Sequence, residues 1–233
     1  MKVVILCGGK GTRLKEYTED IPKPLIEIGG KPILWHIMKT YSHYGFKDFI
    51  LCLGYKGNKI KEYIENNNQE KWNVEFVDTG EKSNKGQRIK AVEEYIKEDN
   101  FFVAYGDDVS DVNIKEILNF HNKNNKIVTL TAVNPLSQFG IMEINNNSEI
   151  TEFKEKPKLD HWINGGFFVF NKKIFNYLKD DYDLETETFE ELVKEKQIQA
   201  FKHNGFWKCM NTFKDTVELN ELWEQNNAPW KVE

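Results

Sequence analysis

VVILCGGKGTRL, residues 3–14, decides the fold. Val3 to Leu6 is a short apolar run without polar alternation, the pattern of a strand buried on both faces. Gly8, Gly9 and Gly11 follow it, then Thr12 and Arg13. In such a turn the backbone N–H groups approach an anion closely, and Arg13 adds charge. The plainer alternative is a glycine-rich turn with a solvated arginine.

Working outward, the same apolar runs recur between helical stretches. Phe49 to Leu53, Val74 to Val77, Phe101 to Tyr105 and Ile127 to Val133 read as strands. Pro32 to Tyr44, the stretch KGNKIKEYIE after Gly54, Gln87 to Ile96 and Asn113 to His121 read as helices, the first opened by a proline. Strand, crossover helix and strand in repetition predict a mostly parallel, Rossmann-like α/β sheet with helices on both faces. After residue 135 the pattern becomes strand-rich. A hairpin is expected around Asn145-Asn146-Asn147, with a strand over Gly165–Phe170 and helices over Asn171–Leu178 and Thr188–Lys194. A strand near Ala200–His203 and a closing helix over Lys214–Glu224 complete the reading, so this half extends the sheet. No linker, repeat or low-complexity segment divides the chain, and a single domain over 1–233 is expected.

Composition excludes several classes. The 233 residues carry 32 Lys+Arg against 37 Asp+Glu, a net charge of −5, which argues against a nucleic-acid binder. Mean hydropathy is −0.63 and no apolar run approaches the ~18 residues of a membrane span. The N-terminal apolar stretch is too short for a secretory leader, so a cytoplasmic protein is expected. Three cysteines, Cys7, Cys52 and Cys209, without a C-x-x-C spacing argue against a disulfide framework and a structural zinc site.

Open sheets of this class bind ligands beyond the carboxyl ends of their strands. The turn after Leu6, Gly54-Tyr55-Lys56 and Gly106-Asp107-Asp108 then share one rim. The G-x-x-x-x-G-K-[ST] phosphate loop is absent, and a dinucleotide fingerprint fails because Leu14 occupies its last glycine position. Pro22 and Pro24 fix the backbone on either side of Lys23, which suits an ammonium held at a phosphate; a proline-rich surface turn explains the same residues. Asp107 at a strand end suits a Mg²⁺ ligand, although Gly-Asp-Asp is also a common turn. Glu155-Lys156 and Asn164-Gly165 offer groups for sugar hydroxyls and a monophosphate, each a weak signal alone. His36 lies within an apolar helix and reads as structural.

Taken together, GGKGTR, PKPL, YGDD, EKP and NGGFF resemble the sugar-nucleotide pyrophosphorylase, or nucleotidyl transferase, family, in similar order over nearly the whole chain. IGGKPILWHIMK, GYKG, WNVEFVDTG, GFW and APWK are similar to its branch that joins CTP to α-D-glucose 1-phosphate. The resemblance implies a nucleotide-binding half over 1–135 and a sugar-phosphate half over 136–233. It implies Mg²⁺ as cofactor, a nucleoside triphosphate and a sugar 1-phosphate as substrates, and a homo-oligomer without nucleic-acid or membrane partners. It places the nucleotide on Leu6, Gly8, Gly9, Gly11, Thr12, Arg13, Lys23, Gly80, Arg88 and Gly106. It places the sugar phosphate on Tyr105, Glu155, Lys156, Asn164 and Gly165, the metal on Asp107 and Asn211, and the catalytic roles on Arg13, Lys23 and Asp107.

Three departures accompany the resemblance. Asn211 stands in Met210-Asn211-Thr212 where the family carries a second metal-binding aspartate. Asp108 stands where the family has glycine, and is expected to supply the missing charge. The segment between Tyr63 and Trp72 is shortened. Transfer from another nucleotide or to another acceptor therefore stays open, as does a nucleotide-sugar-binding protein impaired in catalysis.

Overall fold

Val3, Val4 and Ile5 are fully buried, and they part company: Val3 and Ile5 enter one hydrophobic core and Val4 the other. Alternate side chains of one strand can feed two cores only if both sheet faces are covered. The computed structural model describes residues 1–14, 20–137 and 139–232, and the side chain of Arg13 lies outside what is described.

In chain order the strands are β1 (Val3–Leu6), β2 (Glu27–Ile28), β3 (Lys31–Pro32), β4 (Asp48–Leu53), β5 (Asn73–Asp78), β6 (Asn100–Tyr105) and β7 (Asp108–Ser110). They continue with β8 (Val128–Val133), β9 (Ile141–Ile144), β10 (Ile150–Lys154), β11 (Ile163–Asn164), β12 (Phe168–Asn171), β13 (Ile198–His203) and β14 (Trp207–Cys209). The helices are α1 (Ile33–His43), α2 (Gly57–Asn67), α3 (Lys85–Lys90), α4 (Ile114–Asn124), α5 (Phe189–Lys194) and α6 (Phe213–Glu224).

The main sheet runs β11-β8-β12-β6-β1-β4-β5, with β13 on the free side of β8. Strands β5, β4, β1 and β6 are parallel, and β13 is parallel to β8. Strand β12 is antiparallel to both β6 and β8, and β11 is antiparallel to β8, so these two strands of the second half run against the others. Ile33, Ile37 and Tyr41 of α1, Ile60 of α2, Ile117 of α4 and Leu219 of α6 fill one core. Ile89 of α3 and Phe189 and Leu192 of α5 fill the other. The architecture is the α/β, mostly parallel sheet with two covered faces that the apolar runs imply. Strand order reverses at β1, whose chain neighbours lie on β4 on one side and β6 on the other, so the crevice opens at the carboxyl end of β1. No helix among the described residues is long and apolar enough to cross a membrane.

Four elements differ from the sequence reading. The helix expected over Gln87–Ile96 is α3, followed by a 3₁₀ turn at Glu93–Tyr95. Asn84 and Gln87 form a reciprocal capping box that starts it earlier, and Ile89, Val92 and Ile96 still face one core. The segment Asn171–Leu178 contains a 3₁₀ helix over Lys172–Asn176, capped by the Asn171 side chain. The strand expected over Gly165–Phe170 starts only at Phe168, as β12, because Gly166 (φ +70°) and Phe167 (φ 46°) turn left-handed after the short β11. The short pairs β2–β3 and β7–β14 have no counterpart in the reading.

Candidate active site

A cleft of about 580 Å³ lies at the carboxyl ends of β1 and β6. Leu6, Gly8, Gly9, Gly11 and Thr12 form one wall. The loop before Thr12 closes with Leu14 N–H donating to the Gly11 carbonyl, 2.9 Å. Gly8 is required by close approach: a Cβ there would stand 1.9 Å from Arg88 Nη1. Arg88 itself is turned inward. Its Nη1 donates to the Leu53 carbonyl (3.1 Å) and Thr79 Oγ1 (2.8 Å), and its Nη2 to the carbonyls of Gly8 (3.0 Å) and Glu81 (3.3 Å). The guanidinium thus ties the glycine turn to the ends of β4 and β5. It touches the cleft from below, with these donors committed to protein acceptors.

Lys23 enters from the 3₁₀ turn Lys23–Leu25, which Pro22 leads into at φ −64° and which closes by Leu25 N–H to the Pro22 carbonyl, 2.8 Å. Its Nζ donates to Asp107 Oδ2 at 2.5 Å and to Asn211 Oδ1 at 3.0 Å. Asp107 sits just beyond β6. Asn211 is held beside it because Met210 N–H donates to the Asp107 carbonyl (2.9 Å). A capping box between Thr212 and Asp215 at the start of α6 fixes the turn, and Asp215 Oδ2 also accepts from Asn211 N–H at 3.1 Å. Two oxygens from distant segments therefore converge on one ammonium. That is a fit test for a divalent cation: hard oxygen donors already face a positive charge here, as Mg²⁺-type ions require. Asp108 is 3 % exposed, and burial, reinforced by the Asp107 charge, raises its carboxyl above the ordinary range.

On the opposite wall, Tyr105 Oη donates to Glu185 Oε1 at 2.5 Å and accepts from Asn164 Nδ2 at 3.0 Å. Lys85 pairs with Glu185 and lies 5.3 Å from the Tyr105 ring centroid. Burial raises the Glu185 carboxyl, and burial together with the Glu185 charge raises the Tyr105 phenol.

Of the residues the sequence singles out, the cleft brings together Leu6, Gly8, Gly9, Gly11, Thr12, Lys23, Arg88, Tyr105, Gly106, Asp107, Asn164 and Asn211. Gly80, Gly165, Glu155 and Lys156 do not line it. Gly80 turns the chain after β5 at φ +86°, its N–H on Asp78 Oδ1. Gly165 N–H donates to the Thr131 carbonyl (2.9 Å), and its carbonyl accepts from Trp207 Nε1 (2.8 Å). Glu155 and Lys156 follow β10 on the exposed hairpin. Ser83, Asn84, Lys85, Asp183, Trp207 and Cys209 also line the cleft and were not singled out. Asn84-x-x-Gln87 was legible as a helix start; the others come from segments that meet only in three dimensions.

The profile of the nucleotidyl transferase family matches residues 2–228. The chain is 46% identical to the glucose-1-phosphate cytidylyltransferase of Salmonella typhimurium, over an alignment of 256 residues that spans 100% of this chain and 99% of that protein. It is 41% identical to the probable glucose-1-phosphate cytidylyltransferase of Bacillus subtilis, over 100% of both chains. The crystal structure of HddC from Yersinia pseudotuberculosis superposes with a TM-score of 0.75 at 27% identity, covering 95% of this chain and 99% of that one. The chain belongs to the nucleotidyl transferase family. Members of this class of enzyme work with a divalent metal, and the converging oxygens of Asp107 and Asn211 suit one.

Proposed function

We propose that this chain joins CTP to α-D-glucose 1-phosphate, giving CDP-glucose and pyrophosphate. An oxygen of the sugar phosphate attacks the α-phosphorus of the triphosphate in line. The bond from that phosphorus to the bridging oxygen breaks, and the electron pair leaves with pyrophosphate. The attacking phosphate is already ionised near neutral pH, so no general base is required. What the reaction demands is two polyanions held together, and positioning with charge neutralisation carries most of the rate.

The reading assigns the N–H groups of the Gly8–Thr12 loop and the Arg13 side chain to the triphosphate. Leu6 and Gly106 flank it, and Gly80 and Arg88 support its far edge. Lys23 neutralises charge at the α-phosphate. Asp107 and Asn211 hold Mg²⁺, which when bound offsets phosphate charge. Tyr105 and Asn164 face the sugar. Glu155 and Lys156, outside the cleft, reach the sugar phosphate from the hairpin. The two halves, 1–135 and 136–233, act as one domain in this scheme. The observation that carries the reading is the convergence of Lys23, Asp107 and Asn211 beside the glycine turn. Support for the substrates comes from relatives named for cytidylyl transfer to glucose 1-phosphate at 46% and 41% identity.

Pyrophosphate release measured across four nucleoside triphosphates and several sugar 1-phosphates, with and without Mg²⁺, tests it. Release is expected with CTP and glucose 1-phosphate when Mg²⁺ is present. A larger rate with another pair overturns the substrate assignment. The amide at Asn211 favours a second reading, a binding protein without turnover; CDP-glucose binding without pyrophosphate release from any pair selects it.

A further inference from the structure

Pairing of β7 with β14 sets Cys209 opposite Asp108, and the Met210 N–H to Asp107 carbonyl bond draws the next residue against the same turn. One ligand atom each from Asp107, Asp108 and Cys209 lies within 4.8 Å of the others. All three residues line the cleft. The Cys209 thiol hydrogen-bonds the Asp108 carboxyl, yet Asp108 Oδ1 is buried without any partner. A carboxylate oxygen shut away from water and left unpaired is costly, and buried polar atoms are nearly always satisfied by protein, water or an ion. Here the unpaired atom belongs to a residue only 3 % exposed, inside a set of donors spaced for a metal.

We propose that Asp107, Asp108 and Cys209 form a binding site for a thiophilic divalent cation of the zinc and cobalt type, distinct in its donor set from the oxygen pair Asp107–Asn211. Sulfur decides the class. Mg²⁺ takes hard oxygen ligands, whereas a thiolate selects softer ions. Three protein donors, one of them sulfur, leave the fourth tetrahedral position to water or a phosphate oxygen. As the metal–sulfur bond forms, the thiol proton passes to solvent; no electron is transferred. The site shares Asp107 with the proposed Mg²⁺ position, so the two cations draw on one carboxylate. The reading goes beyond the proposed reaction and does not depend on which nucleotide is used.

Titration of the full-length chain with Co²⁺, without nucleotide, tests it through the thiolate-to-cobalt charge-transfer absorption in the near ultraviolet. A saturable band at one equivalent is expected, displaced by Zn²⁺. It should disappear in Cys209→Ser, need at least tenfold more Co²⁺ in Asp108→Asn, and persist in Cys7→Ser, since Cys7 also borders the cleft. No band in the wild type, or a band that survives Cys209→Ser, overturns the site. Should Cys209→Ser fail to fold, alkylation of Cys209 followed by mass spectrometry on the wild type gives the same decision. Zn²⁺ is expected to slow alkylation at Cys209 at least tenfold, and an unchanged rate overturns the proposal. None of these readouts involves turnover, so failure of CTP transfer and failure of this site are told apart.

Discussion

The cleft rim and the β9–β10 hairpin are held in opposite ways. The rim at β1, β4 and β6 is locked from behind: Arg88 donates to three carbonyls and a hydroxyl beneath the glycine turn, and Lys23 is bonded to two oxygens. The β9–β10 hairpin is the reverse. Every residue from Ile141 to Lys156 is exposed, including Ile144 at 61 % and Phe153 at 58 %. The rim is thus assembled in advance, with its polar groups already ordered. Glu155 and Lys156 ride on a ribbon that contributes nothing to either core. Preorganised charge belongs where charge develops, whereas a ribbon with no buried side chain adds little to the packing of the domain.

The sharpest break of this contrast is Lys23→Ala. Loss of the positioned ammonium is expected to lower kcat/KM about a thousandfold, roughly 4 kcal/mol of transition-state stabilisation. Steady-state pyrophosphate assays read it, and unchanged turnover removes Lys23 from the chemistry.

Next in size is an acid weakness confined to the packed region. Burial on α1 lowers His36 to about 4 from its ordinary 6.5. The native state therefore resists protonation while the unfolded chain accepts it. Stability from this group is complete above pH 6.5 and drains away as pH falls towards 4, by roughly 3 kcal/mol. Urea midpoints between pH 7 and 4 should fall less steeply in His36→Gln than in the wild type; parallel slopes refute the assignment.

Arg88→Ala tests the rim's underpinning. Partly orphaned carbonyls and a lost buried fork are expected to cost about 2 kcal/mol of folding stability and to raise KM for the nucleotide before kcat falls. A variant with wild-type stability and KM would show that the glycine turn stands unaided.

Asn211→Asp adds a formal charge beside Asp107 and is expected to tighten Mg²⁺ roughly tenfold, about 1.4 kcal/mol. Mg²⁺ titration of activity checks it, and no shift places the metal elsewhere. Smallest of all is Phe153→Ser on the hairpin, expected to change unfolding free energy by less than about 0.5 kcal/mol. A loss of several kcal/mol would mean that the hairpin is packed after all.

What the sequence discloses divides along the same line. Non-alternating runs such as Val3–Leu6 and Phe101–Tyr105 announce buried parallel strands because no other environment tolerates them. The glycine turn, Lys23 and Asp107 are visible because their residue types are unusual for their positions, whereas Asn211 and Arg88 enter only through the family resemblance. The inward turn of Arg88 depends on carbonyls at Gly8 and Leu53, 80 and 35 residues away. The Tyr105–Glu185–Lys85 link joins segments 80 residues apart and leaves no local trace. Gly165 has a packing reason that the sequence does not disclose: a Cβ there would stand 2.8 Å from Val133 Cγ1 of β8.

Strand β1 has a consequence for how the molecule comes into being. It precedes both of its partners in the chain and lies between them, Val3 pairing with Phe49 on one flank and Phe102 on the other. Parallel pairing across such distances closes large loops before it is rewarded, which slows folding. During translation this wholly apolar ribbon must stay unaggregated until roughly a hundred further residues have emerged. Rescue by a chaperone that shields nascent hydrophobic segments should therefore raise its soluble yield more than slowing late elongation does.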